Sequence, residues 1–289
     1  MKICAVILDY RGASKTEACL LSLVSEGIDT VLVVDNSADA NASAQLAEVI
    51  ERINLRGTDF ALYVLIPDEN LGFARGVNFA LNDIHAQRCD TMLLLNNDAA
   101  MMPGSVHELY KALTGGTGDL VGPTVIDDHG KLQPLMWYHR FLGLQTSFAL
   151  PGAFPYLSGC CLLFRQRLLD AGKLFDEDFF MYGEDTFLGW KMNREHRSFT
   201  RVETAIVRHT GQSPIQKCSL FYEYHMARAH ILLARKTSLH PLELPLIFLA
   251  KCFGLSLRTI RRSVKYRSPM PVWGSILAWL PLQIRKTSQ

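Results

Sequence analysis

The chain has 289 residues, 48% hydrophobic and 20% charged, enough to bury one large core or two smaller ones and a composition that excludes a disordered protein. Its net charge of +2 conceals an asymmetry: from Arg235 onward ten Lys/Arg face one acid, Glu243, which leaves 20 basic and 27 acidic residues before it. The basic tail calls for an anionic partner, and the acidic body and the tail's own apolar stretches favour a membrane surface over nucleic acid.

Seven cysteines without a C-x-x-C pair fit neither a disulfide framework nor a zinc site, so they are read as reduced and cytosolic. The N-terminus enters a strand-like run at once, with no small-residue cleavage site after it, so no signal peptide is expected.

From Ile3 to about Val125, short β-branched or Leu-rich runs alternate with longer helical segments, which predicts βαβ units and a mainly parallel sheet. Predicted strands are Ile3 to Leu8, Thr30 to Val34, Ala61 to Ile66, Thr91 to Leu95 and Leu120 to Val125. The first helix is expected to start on a capping box, Ser14 with Glu17, and to close at Gly27. Residues from about Asp127 to Pro155, rich in Gly, Pro and aromatics, read as a long loop or small insertion over a binding cleft. Cys161 to Phe164 then reads as a strand and Arg165 to Ala171 as a helix, followed by an acid-rich run from Phe175 to Asp185.

After Ser219 the pattern is helical and basic. Its apolar stretches, Leu244 to Ala250 and Val272 to Ile284, fall short of the ~18 uninterrupted residues a spanning helix needs, and Pro241, Pro245, Lys251, Pro271 and Pro281 interrupt the region. Arg258, Arg261, Arg262, Lys265 and Arg267, interleaved with Leu255, Leu257, Ile260 and Val264, read either as an interfacial amphipathic helix or as a basic face on a helix packed against the body.

The strand ends carry the chemistry. Met92-Leu-Leu-Leu-Asn-Asn-Asp98 stops four apolar residues at a carboxylate flanked by amides, and Val31-Leu-Val-Val34 runs likewise into Asp35-Asn36-Ser37. One such acid is as easily a helix cap; two, on strands of one parallel sheet, point to the ligand edge beyond the carboxyl ends. The Gly72/Gly76 segment could approach a phosphate, but no G-x-G-x-x-G follows the first strand and no P-loop exists, which disfavours NAD-type and P-loop functions.

Taken in order, Val6-Ile-Leu-Asp-Tyr10, Val33-Val-Asp-Asn-Ser-Ala-Asp39, Asn70-Leu-Gly-Phe-Ala-Arg-Gly-Val-Asn78, Leu94-Leu-Asn-Asn-Asp98, Ser158-Gly159, Phe175-Asp176 through Gly183-Glu-Asp185, and Arg208-His-Thr-Gly-Gln-Ser213 resemble the inverting GT-A glycosyltransferases of family 2, in their bacterial rhamnosyltransferase-like branch, over residues 3 to 235. The resemblance implies an α/β GT-A, Rossmann-like nucleotide-sugar-binding domain over residues 1–218, with a basic helical extension over 219–289 that associates with membrane.

It further implies a nucleotide-sugar donor, with Leu8 and Tyr10 flanking the base, Asp35 accepting from a pyrimidine N–H, and Asn70, Arg75 and Asn97 lining the nucleotide site. Asp98 ends the D-x-D motif and, with His209, would hold Mg²⁺ or Mn²⁺ on the diphosphate; Asp185 is the implied catalytic base and Glu184 its acceptor-orienting neighbour. Two positions depart from the pattern: Asn96 replaces the first acid of D-x-D, and Phe187 stands where an acid commonly follows the base. The implied activity moves a sugar, rhamnose from dTDP-rhamnose in the first instance, onto a cell-surface polysaccharide or lipid-linked oligosaccharide at the cytoplasmic face of the membrane. A UDP-hexose donor and a non-catalytic nucleotide-sugar binder are the alternatives. No nucleic-acid partner is expected.

Overall fold

Strands β1 (Ile3–Asp9), β2 (Thr30–Asp35) and β4 (Thr91–Asn96) are buried nearly throughout, the outcome expected of apolar runs covered on both sheet faces. The computed structural model describes residues 2–116, 118–211 and 218–280. The elements up to residue 126 continue with α1 (Ala13–Leu21), α2 (Ala40–Arg56), β3 (Ala61–Leu65), α3 (Gly72–Leu81), α4 (Ile84–Gln87), β5 (Ala99–Met101), α5 (Ser105–Thr114) and β6 (Leu120–Ile126). Beyond it come β7 (Met136–His139), β8 (Leu144–Thr146), β9 (Ala153–Tyr156), β10 (Cys161–Arg165), α6 (Glu184–Arg194), β11 (Phe199–His209), α7 (Leu220–Lys236), α8 (Leu244–Tyr266) and α9 (Met270–Leu277).

The chain divides into two compact units. The first, residues 1–135, 157–177 and 191–211, holds an eight-stranded sheet in the order β3-β2-β1-β4-β10-β6-β11-β5. Strands β3, β2, β1 and β4 are parallel, and β10 runs antiparallel between β4 and β6. The register pairs Asp9 with Asp35 and Leu8 with Asn96, so three carboxyl ends finish level at one edge. Strand β5, antiparallel to the end of β11, sets His209 opposite Ala99 beside that edge.

Local expectations fail at two places in this unit. Helix α1 starts one residue before Ser14, on Gly12, whose N–H is taken by the Asp9 carboxylate, while Glu17 pairs with Arg52 at 2.8 Å; the Ser14/Glu17 capping box does not form. The helix ends at Leu21, six residues short of Gly27. Arg165 to Ala171 makes only one 3₁₀ turn, Gln166–Leu168, because Ala171 and Gly172 both take positive φ and close a tight turn bridging Asp170 and Lys173.

Asn78 on α3 is 1% exposed and saturated: its Nδ2 donates to Phe175 O at 2.8 Å and Glu177 Oε1 at 3.1 Å, and its Oδ1 accepts from the N–H groups of Leu174 and Phe175. Asn78→Ala strands three backbone groups, so a loss of about 3 kcal/mol is expected. Urea unfolding of the variant beside the parent checks it.

The second unit comprises residues 136–156, 178–190 and the described part of 212–289. Within the stretch expected as a long loop or small insertion, Asp127 to Pro155, three short strands form an antiparallel sheet in the order β8-β7-β9. Its aromatics explain this: Tyr138 is fully buried, and Phe154 packs on Trp190 with centroids 5.2 Å apart. Helix α7 opens on Ser219, whose hydroxyl accepts from Tyr222 N.

Gly274 lets α9 approach α7 so closely that a Cβ there would lie 2.6 Å from Glu223 Cβ. Glu223 itself is buried and held by Arg258 at 2.9 Å and Arg262 at 2.7 Å. Those two cations and the buried Leu255 therefore belong to the packed side of α8, contrary to the interfacial reading of them, whereas Leu257, Ile260, Arg261, Val264, Lys265 and Arg267 are exposed. Gln212 and Ser213 of the His209 motif, and Pro281 through Ile284 of the second apolar stretch, lie outside the described residues.

Candidate active site

At the sheet edge of the first unit, β4 delivers Asn96-Asn97-Asp98 into a turn. Asp98 Oδ1 meets His209 Nε2 at 3.1 Å although 111 residues separate them, and Asp98 O accepts from Thr210 N. Burial pushes the Asp98 carboxyl upward, but the hydrogen bond and charge of His209, with Lys15 nearby, outweigh it and leave the group below the ordinary carboxylate range. It stays ionised. Asn96 Oδ1 is buried with no hydrogen-bond partner among the described residues.

Asn97 is set by a residue that sequence reasoning left without a role. Its Nδ2 donates to Asp9 Oδ1 and to Thr16 Oγ1, both at 3.1 Å, and Thr16 in turn donates to Asp9 at 2.5 Å. Asp9 is fully buried, and burial raises its pKa despite the bonds from Thr16, Gly12 and Asn97. The signal for it was present: Asp9 ends β1 level with Asp35.

Asp35 is 2% exposed and accepts from Ser37 N and the Ser43 hydroxyl. It also lines a cavity of about 480 Å³ whose other walls include Leu46, Ile50, Val64 and Ile66. Asn36 fastens the neighbouring loop, donating to Gly72 O and accepting from Leu71 N. Asn70 Oδ1 accepts from Gly72 N at the start of α3, and Arg75, exposed, faces Glu69 at 3.6 Å. Leu8 touches α3 where it passes: a Cβ on Gly76 would come 2.7 Å from a Leu8 methyl. Tyr10 lies under the Arg11 guanidinium, 5.6 Å from its ring centre.

In the second unit Glu184 and Asp185 open α6 and line a cavity of about 230 Å³ with Tyr138, Tyr156, Tyr182 and Tyr222. Gly183 makes the entry possible: its φ is +87°, and a Cβ would fall 3.0 Å from that of Ala229. Asp185 Oδ1 accepts from Thr186 N at 2.6 Å and from the Thr186 hydroxyl at 3.2 Å.

Glu184 is 7% exposed, and its Oε2 has no hydrogen-bond partner among the described residues. Burial first, and then the charge of Asp185, push its carboxyl up to about 8. The folded chain therefore keeps a proton that the unfolded chain releases from about pH 4.5 upward. That stabilisation is complete at low pH and lost as pH rises through 8. Glu184→Gln, neutral throughout, is expected to match the parent near pH 4 and to gain on it from there toward pH 8, by at most about 1.4 kcal/mol per pH unit. Unfolding midpoints of both proteins across that range check it.

A second polar chain borders this cavity. Lys251 Nζ donates to the Tyr138 hydroxyl at 2.6 Å, and that hydroxyl lies 3.0 Å from His230 Nδ1. Burial draws Lys251 down to about 7; burial and then the Lys251 charge draw His230 down to about 3. A neutral His230 accepts the Tyr138 proton at Nδ1, which leaves its N–H on Nε2. Lys251 had a signal too, since it stands four residues from both Ile247 and Leu255 on the buried side of α8.

A family model described as Glycosyl transferase family 2 matches residues 4–172, more than half of the chain. The chain belongs to glycosyl transferase family 2. This family 2 glycosyltransferase is 25% identical over 230 residues to the N-acetylglucosaminyl-diphospho-decaprenol L-rhamnosyltransferase of Mycobacterium tuberculosis, covering 67% of this chain and 72% of that protein. Solved structures share its GT-A fold. The mannosyltransferase PcManGT from Pyrobaculum calidifontis, in complex with GDP-Man and Mn²⁺, superposes with a TM-score of 0.58 at 14% identity, over 96% of this chain and 84% of that one. S. aureus TarS 1–349 gives 0.57 at 15% identity over 96% and 81%. GalNAc-T7 with UDP, GalNAc and Mn²⁺ gives 0.63 at 12% identity over 81% of this chain and 48% of that one.

Proposed function

We propose that this glycosyltransferase inverts at the anomeric carbon and moves rhamnose, from dTDP-rhamnose, onto a hydroxyl of a lipid-linked oligosaccharide or cell-surface polysaccharide at the cytoplasmic face of the membrane. The observation that carries the reading is the meeting of Asp98 with His209, which joins the end of β4 to the end of β11 at the ligand edge of the sheet. The rhamnose assignment leans on the mycobacterial relative, whose name also specifies a decaprenol-linked acceptor.

Among the described residues no three His, Cys, Asp or Glu side chains form a closed metal cage. One carboxylate and one imidazole nevertheless fit Mg²⁺ or Mn²⁺ bound on a substrate diphosphate, because such an ion keeps several waters and takes phosphate oxygens. Asp98 and His209 are the residues that would hold it, and the ion would supply neutralisation of the charge gathering on the departing nucleoside diphosphate.

The remaining work falls to the chain. Asp35 accepts from the pyrimidine ring N–H, with Leu8 and Tyr10 flanking the base, while Asn70, Arg75 and Asn97 line the nucleotide; Asp9 and Thr16 hold the Asn97 amide in place. Asp185 takes the proton of the acceptor hydroxyl as its oxygen bonds to the anomeric carbon and the bond to the diphosphate breaks on the opposite face. Glu184, protonated near neutral pH, orients the acceptor by hydrogen bonding rather than competing as base.

Calorimetric titration with dTDP-rhamnose and a panel of UDP- and GDP-sugars, with and without Mg²⁺ or Mn²⁺, tests the reading. Selective, metal-dependent binding of dTDP-rhamnose is expected. Preference for a UDP-hexose retains the transfer chemistry and overturns the rhamnose assignment; binding of no donor overturns the donor site.

A further inference from the structure

On α8 the residues Leu246, Leu249, Phe253, Leu257, Ile260 and Val264 follow one another at spacings of three and four and are 52 to 73% exposed. They form a single stripe about 27 Å long along the helix, opposite the side on which Ile247, Lys251, Leu255 and Thr259 are buried. Scattered exposed apolar residues need no explanation, but a continuous stripe of this length does. Trp273 and Trp279, in and just after α9, are also about half exposed.

Charge decides what covers the stripe. Between Leu244 and Leu280 there is no Asp or Glu. Arg258 and Arg262 are consumed by Glu223, whereas Arg261, Lys265 and Arg267 are exposed near the C-terminal end of the stripe. A second copy would bring like charges together along the same face; an anionic bilayer meets both the apolar stripe and its cations. No helix among the described residues is long and apolar enough to cross a membrane. Tryptophans at the water–lipid boundary and a helix lying in that plane are the remaining mode.

We propose that α8 docks this chain onto an anionic lipid surface, its stripe from Leu246 to Val264 entering the headgroup–acyl boundary and Arg261, Lys265 and Arg267 contacting the headgroups. The proposal deepens the reading of a lipid-linked acceptor by naming the surface that meets the membrane, and it rests on that reading only for its purpose, since its argument uses no donor or acceptor residue.

The test is co-sedimentation of the full chain with vesicles of phosphatidylcholine alone or mixed with phosphatidylglycerol. Removing the tail from Arg258 onward would leave Glu223 buried without its cations, so exposed substitutions are the cleaner variants. Binding is expected for the mixed vesicles, weakened by salt, and reduced about tenfold or more by Phe253→Glu with Leu257→Glu, while Arg261→Gln with Lys265→Gln weakens the preference for phosphatidylglycerol. Circular dichroism verifies that the variants keep their helices.

No binding to mixed vesicles, or binding that the Phe253/Leu257 pair leaves unchanged, overturns the proposal. A lipid-free dimer in sedimentation velocity that the same pair dissolves assigns the stripe to a second copy and overturns it as well. The vesicle assay contains no nucleotide sugar, so its failure is distinct from failure of the donor titration.

Discussion

Asp185→Asn is expected to leave nucleotide-sugar affinity unchanged and to lower transfer by about 10²–10⁴-fold, the usual worth of a positioned general base. The substitution is nearly isosteric, and the carboxamide oxygen still accepts from Thr186 N–H, the bond that fixes the Oδ1 side of Asp185. What disappears is the capacity to take a proton. Glu184 does not replace it: burial and the adjacent carboxylate hold its proton up to about pH 8, and uncharging position 185 removes only the smaller of those two causes. On the proposed reading the pair divides its work, Asp185 taking the acceptor proton beside Glu184 as a hydrogen-bonding acid. Initial rates at saturating donor, with calorimetric donor affinity in parallel, decide it. Near-normal transfer by the variant would mean that another group is the base, and lost donor binding would mean that the substitution acts through structure.

The strand system was legible because it is written in period and composition. Runs such as Val31 to Val34 and Met92 to Leu95 leave little choice but a buried parallel strand, and their polar ends lie level at one edge of the sheet. What failed was set by tertiary contacts or by turn chemistry. The segment after Asp127 carries little period to read: its buried Tyr138 and Phe154 pack ring against ring across β7 and β9, and β8 is three residues long. The missing helix after Arg165 was decided by two residues, Ala171 and Gly172, whose left-handed backbone is invisible in an average propensity.

The same division holds at the candidate site. Asp98, Asp185 and His209 stand in recognisable strings, whereas the Lys251–Tyr138–His230 chain joins β7 to two helices, at sequence separations of 92 and 113 residues, and its members look individually like a break in an apolar run, a loop aromatic and a surface histidine. Burial turned each into something else.

Asp98→Ala is expected to abolish the metal-dependent part of donor affinity, a loss of about 100-fold or more, since even indirect support of a metal ligand is commonly worth 10–100-fold. Its effect on the fold should be small by comparison. The carboxylate and His209 are each about one-fifth exposed, so the pair contributes on the order of 1 kcal/mol or less after solvent screening, and the anchoring bond from Thr210 N runs to the Asp98 backbone and survives the substitution. Binding and stability should therefore separate. Titrations of parent and variant with the preferred donor, each with Mn²⁺ and with a chelator, give the first quantity and thermal melting without ligand gives the second. Asp98→Asn sharpens the result, because it keeps an oxygen acceptor for His209 while removing the charge: if charge toward a cation is what matters, it binds donor no better than Asp98→Ala. A parent whose affinity is the same with and without metal, or a variant that keeps the metal-dependent increment, would remove Asp98 from the donor site and leave its bond to His209 as a structural clasp between β4 and β11.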